Sequence, residues 1–145
     1  MFKKGFTILE LLIVIAVIAI LVGIALPRFK GMRDEGNYAR AKGELRTLQT
    51  GVESYYIHSG SYPASDTLSV LTTASPTIIS ALPTDPFTSG SNYGYKKSAN
   101  GNYYVIYSVG VGGTATITGI SDAGALSGSA GDDIYVSNGA VQAGG

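Results

Sequence analysis

The stretch Gly5-Phe-Thr-Ile-Leu-Glu10, followed by the uncharged apolar run from Leu11 to Leu26, decides how the rest of this chain is organised. Between Phe6 and Leu26 there are 21 residues, and a helix rising about 1.5 Å per residue would make them about 31 Å long. That length matches the hydrocarbon core of a bilayer, which is about 30 Å thick. The stretch therefore predicts a transmembrane helix over 6–26.

The flanks of this run differ from those of a secretory signal. Such a signal has an apolar region of about 7 to 15 residues and a small-residue cleavage site after it, whereas this run is longer and ends in Leu26-Pro27-Arg28. Lys3 and Lys4 come before it, and no acidic residue precedes Glu10. By the positive-inside bias we expect a single-pass protein with a cytoplasmic N-terminus.

Glu10 is the one charged residue at the head of the predicted membrane helix. A carboxylate costs roughly 2.5 to 3.5 kcal/mol at the centre of such a helix and less near its edge, so it usually marks a function that involves a partner. Cleavage after Gly5 would create an amine on Phe6. That amine would lie within one helical turn of Glu10, or within reach of Glu10 on a neighbouring copy, and we predict an ion pair between them.

The residues from Lys4 to Leu21, read as KGFTILELLIVIAVIAIL, resemble the prepilin leader of type IV pilins and type II secretion pseudopilins. In that family a membrane peptidase cuts after the glycine and methylates the new N-terminal phenylalanine. The resemblance implies a leader over 1–5, cleavage between Gly5 and Phe6, and N-methylation of Phe6. It also implies several partners: the prepilin peptidase and methylase, an inner-membrane assembly platform, further copies of this chain and related minor subunits.

A second helical segment is predicted over 27–58. Pro27 lacks an N–H and its ring crowds the carbonyl of Gly23, so we expect a kink there. Apolar residues at alternating steps of three and four form one stripe, which we expect to pack on the protein's own sheet. A coiled coil is the alternative, but fewer than three heptads are available. The stripe consists of Tyr38, Ala41, Leu45, Leu48, Val52 and Tyr55. Gly60, with Pro63 beyond it, predicts the end of the helix.

The region 59–145 reads as a small globular antiparallel β structure. Aromatic and β-branched runs at Tyr93–Tyr95 and Tyr103–Val109 flank the turn sequence Ala99-Asn-Gly-Asn102, which predicts a hairpin. Asp133–Val136 predicts a third strand, and Ala140-Val141 is compatible with a fourth. The expected fold class is therefore α+β and pilin-like: a long kinked N-terminal helix, half membrane-spanning and half amphipathic, packed on a small antiparallel sheet.

The segment Leu82-Pro-Thr-Asp-Pro-Phe87 is similar to one in the major pseudopilins of type II secretion systems. Those proteins hold Ca²⁺, which takes about 6 to 8 oxygen ligands, in a C-terminal loop. The resemblance implies calcium candidates at Asp122, Asp132 and Asp133. The family's Ser-x-Gly-x-Asp-Gly stretch reads Ser108-Val-Gly-Val-Gly-Gly113 here, so one ligand is missing, and a solvated acidic turn is the alternative.

Composition narrows the remaining functions. The chain has 0 cysteines, which excludes a disulfide framework and a metal site built from cysteines. Its formal net charge is 0 and its basic residues are scattered along the sequence, so they indicate no nucleic-acid-binding face. The G-x-G-x-x-A spacing from Gly110 to Ala115 lacks the following helix that a dinucleotide loop needs. No nucleophile elbow or catalytic constellation is evident around the single His58, so we do not expect an enzyme.

The sequence thus predicts a filament subunit that polymerises from the inner membrane, most simply the pseudopilus of a type II secretion system. One alternative is a type IV pilin of a surface pilus acting in adhesion, motility or DNA uptake. The other is a signal-anchored binding module that does not polymerise. Pseudopilins normally stay in the periplasm whereas pilins reach the cell exterior, so the location of the fibre distinguishes the two filament hypotheses. An intact leader would favour the binding module.

Overall fold

The protein is described by a computed structural model covering residues 5–88, 90–128 and 131–139. The chain divides into two compact units, Met1–Gly36 and Asn37–Gly145. Its elements are, in chain order, α1 (Ile8–Ser59), α2 (Val70–Thr73), β1 (Gly94–Lys97), β2 (Tyr104–Ser108), β3 (Ile117–Ile120), β4 (Leu126–Gly128) and β5 (Ile134–Ser137). This order of a long N-terminal helix and then short strands confirms the predicted α+β class.

Helix α1 is 52 residues long and continues through Pro27. It stops at the predicted glycine: Gly60 has a φ of 72°, and its N–H donates to the carbonyl of Tyr56 at 2.8 Å. A left-handed residue just past the last turn satisfies a helix carbonyl that would otherwise lack a partner, and glycine adopts that conformation without steric cost. The kink at Pro27 stays a prediction.

The main sheet has three antiparallel strands in the order β1-β2-β5. Tyr95 of β1 lies opposite Ile106 of β2, and Ile106 lies opposite Val136 of β5. The hairpin and the third strand predicted from sequence are therefore confirmed. The further strand considered at Ala140-Val141 lies outside the described residues.

One face of this sheet packs on the second half of α1. Ala41, Leu45, Leu48 and Val52 are at most 1% exposed and form one cluster with side chains of β1, β2 and β5. The predicted stripe is thus the buried face of the helix. Tyr38, at its start, differs: the ring is 42% exposed and lies 4.8 Å from the amine of Lys42, so a cation–π contact takes the place of burial.

The opposite face of β2 is covered by a hairpin of β3 and β4. These strands form a separate two-stranded sheet. Val105 and Tyr107 of β2 pack with Ile117 and Ile120 of β3, so every residue of β2 is buried. Neither β3 nor β4 was among the predicted strands, and Leu126-Ser-Gly128 has little β propensity and becomes a strand by pairing with β3.

The Asp85 carboxylate ties the turn before the sheet to the end of β2. Asp85 is only 3% exposed. Its Oδ1 accepts hydrogen bonds from the Phe87 N–H at 3.0 Å and from the Ser108 hydroxyl at 2.8 Å, and its Oδ2 accepts one from the Val109 N–H at 3.1 Å. Both oxygens of this buried carboxylate are therefore used to join two segments that are distant in sequence.

Candidate functional site

The first turn of α1 is held by Thr7 and Glu10. The Glu10 Oε2 accepts hydrogen bonds from the Thr7 N–H at 2.9 Å and from the Thr7 hydroxyl at 2.8 Å. In return the Glu10 N–H donates to the Thr7 hydroxyl oxygen at 3.2 Å. This reciprocal pattern is a capping box, which satisfies N–H groups that the start of a helix leaves without partners.

Thr7 is the residue of this site that we did not predict from the sequence. The signal was present, because Thr7-Ile-Leu-Glu10 has the S/T-x-x-E spacing of a capping box directly before an apolar run. The box gives Glu10 a role inside its own chain. Within residues 5–88 and the other described segments, the second oxygen, Oε1, has no hydrogen-bond partner, so it is free to accept a donor from elsewhere.

The predicted partner of Glu10, an amine on Phe6, exists only after cleavage. In the uncleaved chain the nitrogen of Phe6 belongs to a peptide bond, and its side chain is 82% exposed. The pairing therefore stays a prediction. Residues 1–4 of the predicted leader lie outside the described part of the chain.

From Leu11 to Leu26, α1 is apolar on all sides. Among the described residues it is the one helix long and apolar enough to cross a membrane: its most apolar 18-residue window has a mean hydropathy of 3.1, and 0% of that window is buried. Leu11, Ile15 and Leu26 are 59%, 54% and 63% exposed. A helix with this surface needs lipid or other protein chains around it.

Pro27 lies inside α1, one residue after the apolar stretch. Proline has no N–H to donate to the carbonyl of Gly23, one turn earlier, so this turn lacks one of its hydrogen bonds. A Cβ added at Gly23 would meet no other atom within 4 Å. The weakened turn thus lies at the boundary between the apolar and the charged parts of the helix.

The three carboxylates proposed for calcium do not form one site. Asp122 lies in another turn, where its Oδ1 accepts the Asn100 N–H at 2.7 Å. Asp132 accepts the N–H of Gly112. Asp133 is directed to the start of β3, where its Oδ2 accepts the N–H groups of Thr116 and Ile117, each at 2.8 Å, and the Thr116 hydroxyl at 3.1 Å.

Donors already occupy one oxygen on each of these carboxylates. The described residues contain no group of three or more His, Asp or Glu side chains that could hold a metal ion. One observation is compatible with a cation: the Oδ1 of Asp133 is buried and has no hydrogen-bond partner among the described residues. Calcium binding stays a prediction.

Comparison with known protein families matches both parts of the chain. Residues 1–26 match the prokaryotic N-terminal methylation motif, and residues 28–123 match the family of type II secretion system (T2SS), protein G. The second match extends from the charged half of α1 across β1, β2 and β3. The two matches together cover helix α1 and the strands β1, β2 and β3.

Similar proteins fall into two groups. The type II secretion system core protein G of Pseudomonas aeruginosa is 24% identical over 123 residues, covering 77% of this chain and 85% of that protein. Its counterpart from Pectobacterium carotovorum is 23% identical over 123 residues, covering 77% and 78%. The fimbrial protein EcpB of Eikenella corrodens is 46% identical over 58 residues, covering 40% of this chain and 36% of that protein. The chain thus spans less than half of this fimbrial relative.

Proposed function

We propose a filament-forming function for this chain, which belongs to the family of type II secretion system protein G. In this proposal it is the structural subunit that polymerises into the pseudopilus of such a system. The single observation that carries the proposal is the family match over residues 28–123, because it includes the globular region and not only the widespread N-terminal motif. The role is structural and requires no catalytic group.

Before assembly, the subunit is stored in the inner membrane through the apolar part of α1, with the N-terminus in the cytoplasm and the sheet in the periplasm. The prepilin peptidase cuts between Gly5 and Phe6 and methylates Phe6. The match of residues 1–26 to the N-terminal methylation motif supports this processing. An assembly platform then moves the subunit into a filament, in the periplasm or outside the cell, made of further copies and related minor subunits.

The geometry of Glu10 supports a role in this transfer. Its Oε2 is held by Thr7, whereas Oε1 is free to accept hydrogen bonds from the Phe6 amine of a neighbouring copy. Placing a charged carboxylate inside lipid costs free energy, and this cost is offset when the carboxylate pairs with an opposite charge in good geometry. One carboxylate can therefore cap its own helix and fix the axial position of the next subunit.

The test replaces Glu10 by Ala, with Glu35→Ala as the matched control. Glu35 lies on the same helix beyond the apolar stretch, is exposed and makes no ion pair among the described residues. We expect Glu10→Ala to remain in the membrane, be cleaved normally and fail to form filaments, while Glu35→Ala assembles. Filament assembly by Glu10→Ala at the wild-type level would contradict the pairing.

Mass spectrometry of the mature protein tests whether the leader is removed. An intact Met1–Gly5 leader would overturn the filament proposal in favour of a signal-anchored binding module.

A second candidate function is a type IV pilin of a surface pilus. The observation that favours it is the similarity to fimbrial proteins, among them one of Neisseria meningitidis that is 33% identical over 73 residues. That relative covers 50% of this chain, whereas the protein G relatives cover 77%, which is why the pseudopilus ranks first. Deletion of the gene distinguishes the two: loss of secretion supports the pseudopilus, and loss of surface fibres supports the pilus.

A further inference from the structure

We propose that Arg28, Lys30 and Arg33 form a binding site for the headgroups of anionic phospholipids, in the leaflet where the membrane-spanning part of α1 ends. We call these three residues the basic collar. The inference rests on the proposed membrane-stored state of the subunit and adds a ligand to it. The ligand is identified by its chemistry: a phosphodiester with net negative charge, as in phosphatidylglycerol, in contrast to a zwitterionic headgroup.

The position of the basic collar along the helix fits the headgroup layer. Leu26 is the last residue of the apolar stretch. At about 1.5 Å per residue, Arg28, Lys30 and Arg33 follow it at about 3, 6 and 10 Å along the helix axis. A bilayer of about 40 to 45 Å with a hydrocarbon core of about 30 Å leaves roughly 5 to 8 Å of headgroup on each side. The first cation therefore lies within the headgroup layer, the second at its outer edge and the third a few ångströms beyond it, within reach of a long side chain.

The collar goes around the helix, as a ring of headgroups would require. With about 3.6 residues per turn, Arg28, Lys30 and Arg33 point in directions separated by roughly 60° to 160°. The same turns carry two exposed apolar side chains, Phe29 at 62% and Met32 at 59%. Long cationic side chains extend from such a position towards phosphates while aromatic and apolar ones remain at the interface.

The collar residues are available for a ligand. All three are exposed, and within the described residues none of them takes part in an ion pair. Two cations of the next turns do have partners in the chain: Arg40 pairs with Glu44 at 2.8 Å, and Lys42 lies over the ring of Tyr38. Unsatisfied positive charge is thus concentrated next to the end of the apolar stretch.

The membrane orientation does not explain these charges. Lys3 and Lys4 precede the apolar stretch and the three collar residues follow it, so the side expected to face away from the cytoplasm carries more cationic side chains than the leader does. The positive-inside bias accounts for Lys3 and Lys4 but gives no reason for three cations on the opposite side. Asp34 and Glu35 follow directly and offset part of the charge, but they lie at or beyond the outer edge of the headgroup layer. A favourable contact of the collar with anionic lipid accounts for cations at this place.

The experiment measures lipid preference of the full chain in nanodiscs of phosphatidylcholine containing a trace of spin-labelled phosphatidylglycerol or spin-labelled phosphatidylcholine. Electron paramagnetic resonance reports the fraction of each label immobilised at the protein. One cation near an anionic lipid surface corresponds to about a fivefold preference. We expect Arg28→Gln/Lys30→Gln/Arg33→Gln to lower the preference for phosphatidylglycerol by at least about fivefold, and 0.5 M salt to lower the wild-type preference as well.

The matched control is Arg40→Gln/Lys42→Gln/Arg46→Gln, which removes the same charge from the same helix farther from the apolar stretch. It should keep the wild-type preference. If wild type and the collar variant insert equally but show the same lipid preference, the collar proposal is overturned while the membrane-stored state stands. A collar variant with unchanged lipid preference and lost filaments would assign the charges to contacts between copies instead. If the wild-type chain fails to insert into phosphatidylcholine nanodiscs, the membrane-stored state itself is wrong.

Discussion

Replacement of Asp85 by Asn tests the buried carboxylate that joins the turn after Pro83 to the end of β2. Asparagine has nearly the same shape but offers one carbonyl oxygen and one NH₂ group. If its oxygen takes the place of Oδ1, the Val109 N–H loses its acceptor; if it takes the place of Oδ2, the Phe87 N–H loses it. In both orientations one backbone N–H faces the NH₂ group of the asparagine. The remaining hydrogen bonds become weaker because their acceptor is no longer charged.

The size of the effect follows from these contacts. An unsatisfied buried donor costs about 1 to 3 kcal/mol, and hydrogen bonds to a charged group stabilise a protein more than neutral ones do. We therefore expect Asp85→Asn to lower the free energy of unfolding by about 2 to 4 kcal/mol. For a unit of about 100 residues this lowers the melting temperature by roughly 8 to 16 °C.

Near-ultraviolet circular dichroism of the full chain in mild detergent is the suitable assay. The chain has 10 tyrosines and 0 tryptophans, and its first tyrosine is Tyr38, so the signal reports the unit that contains the sheet. Asp122→Asn is the control, because that side chain also accepts a backbone N–H but is exposed; it should change the melting temperature by less than about 4 °C. An Asp85→Asn protein that melts within this margin of wild type would refute the reasoning.

Three further predictions concern packing, pH and metal. A Cβ at Gly94 would overlap the ring of Tyr107, so Gly94→Ala should lower the free energy of unfolding by about 1 to 3 kcal/mol in thermal denaturation. In the control Gly119→Ala the nearest other atom is 4.0 Å from the new Cβ, and the loss should be less than about 1 kcal/mol. Equal losses in the two variants would contradict this. Burial raises the pKa of Tyr95 and of Tyr104, so the stability that they contribute is complete below the unfolded pKa of about 10 and falls above it. In an absorbance titration at 295 nm they should ionise only as the near-ultraviolet signal is lost, and ionisation of every tyrosine in the folded protein would contradict that. If the predicted carboxylates bind calcium, EDTA should lower the melting temperature and added Ca²⁺ should restore it. A melting temperature insensitive to EDTA would end the calcium hypothesis.

Much of the fold was predictable because its signals are local and repeated. The stripe from Ala41 to Val52 follows from helical periodicity alone, since a helix with one apolar face has to bury that face. Gly60 marks the end of the helix for a reason that belongs to a single residue, its freedom to adopt positive φ. The β1-β2 hairpin is similarly local, because its two strands and its turn are contiguous in sequence.

The parts that were missed depend on contacts between distant segments. Strand β4 has no β signal of its own and forms by pairing with β3. The carboxylates of Asp122 and Asp133 looked equivalent as candidate ligands, but one accepts a hydrogen bond from Asn100 and the other from Thr116 and Ile117. Their separation depends on where the β3-β4 hairpin packs, which composition and spacing do not reveal.

The sequence by itself determined the apolar helix, the carboxylate at its head and the resemblance to prepilin leaders. These features are written in consecutive residues, because hydropathy and helix capping act over one or a few turns. Only the tertiary structure decided that β2 is buried on both faces and that Asp122 and Asp133 hold different segments. The physical reason is that hydrogen-bond partners and buried faces are set by residues brought together across the chain, and such pairings become visible only once the chain has folded.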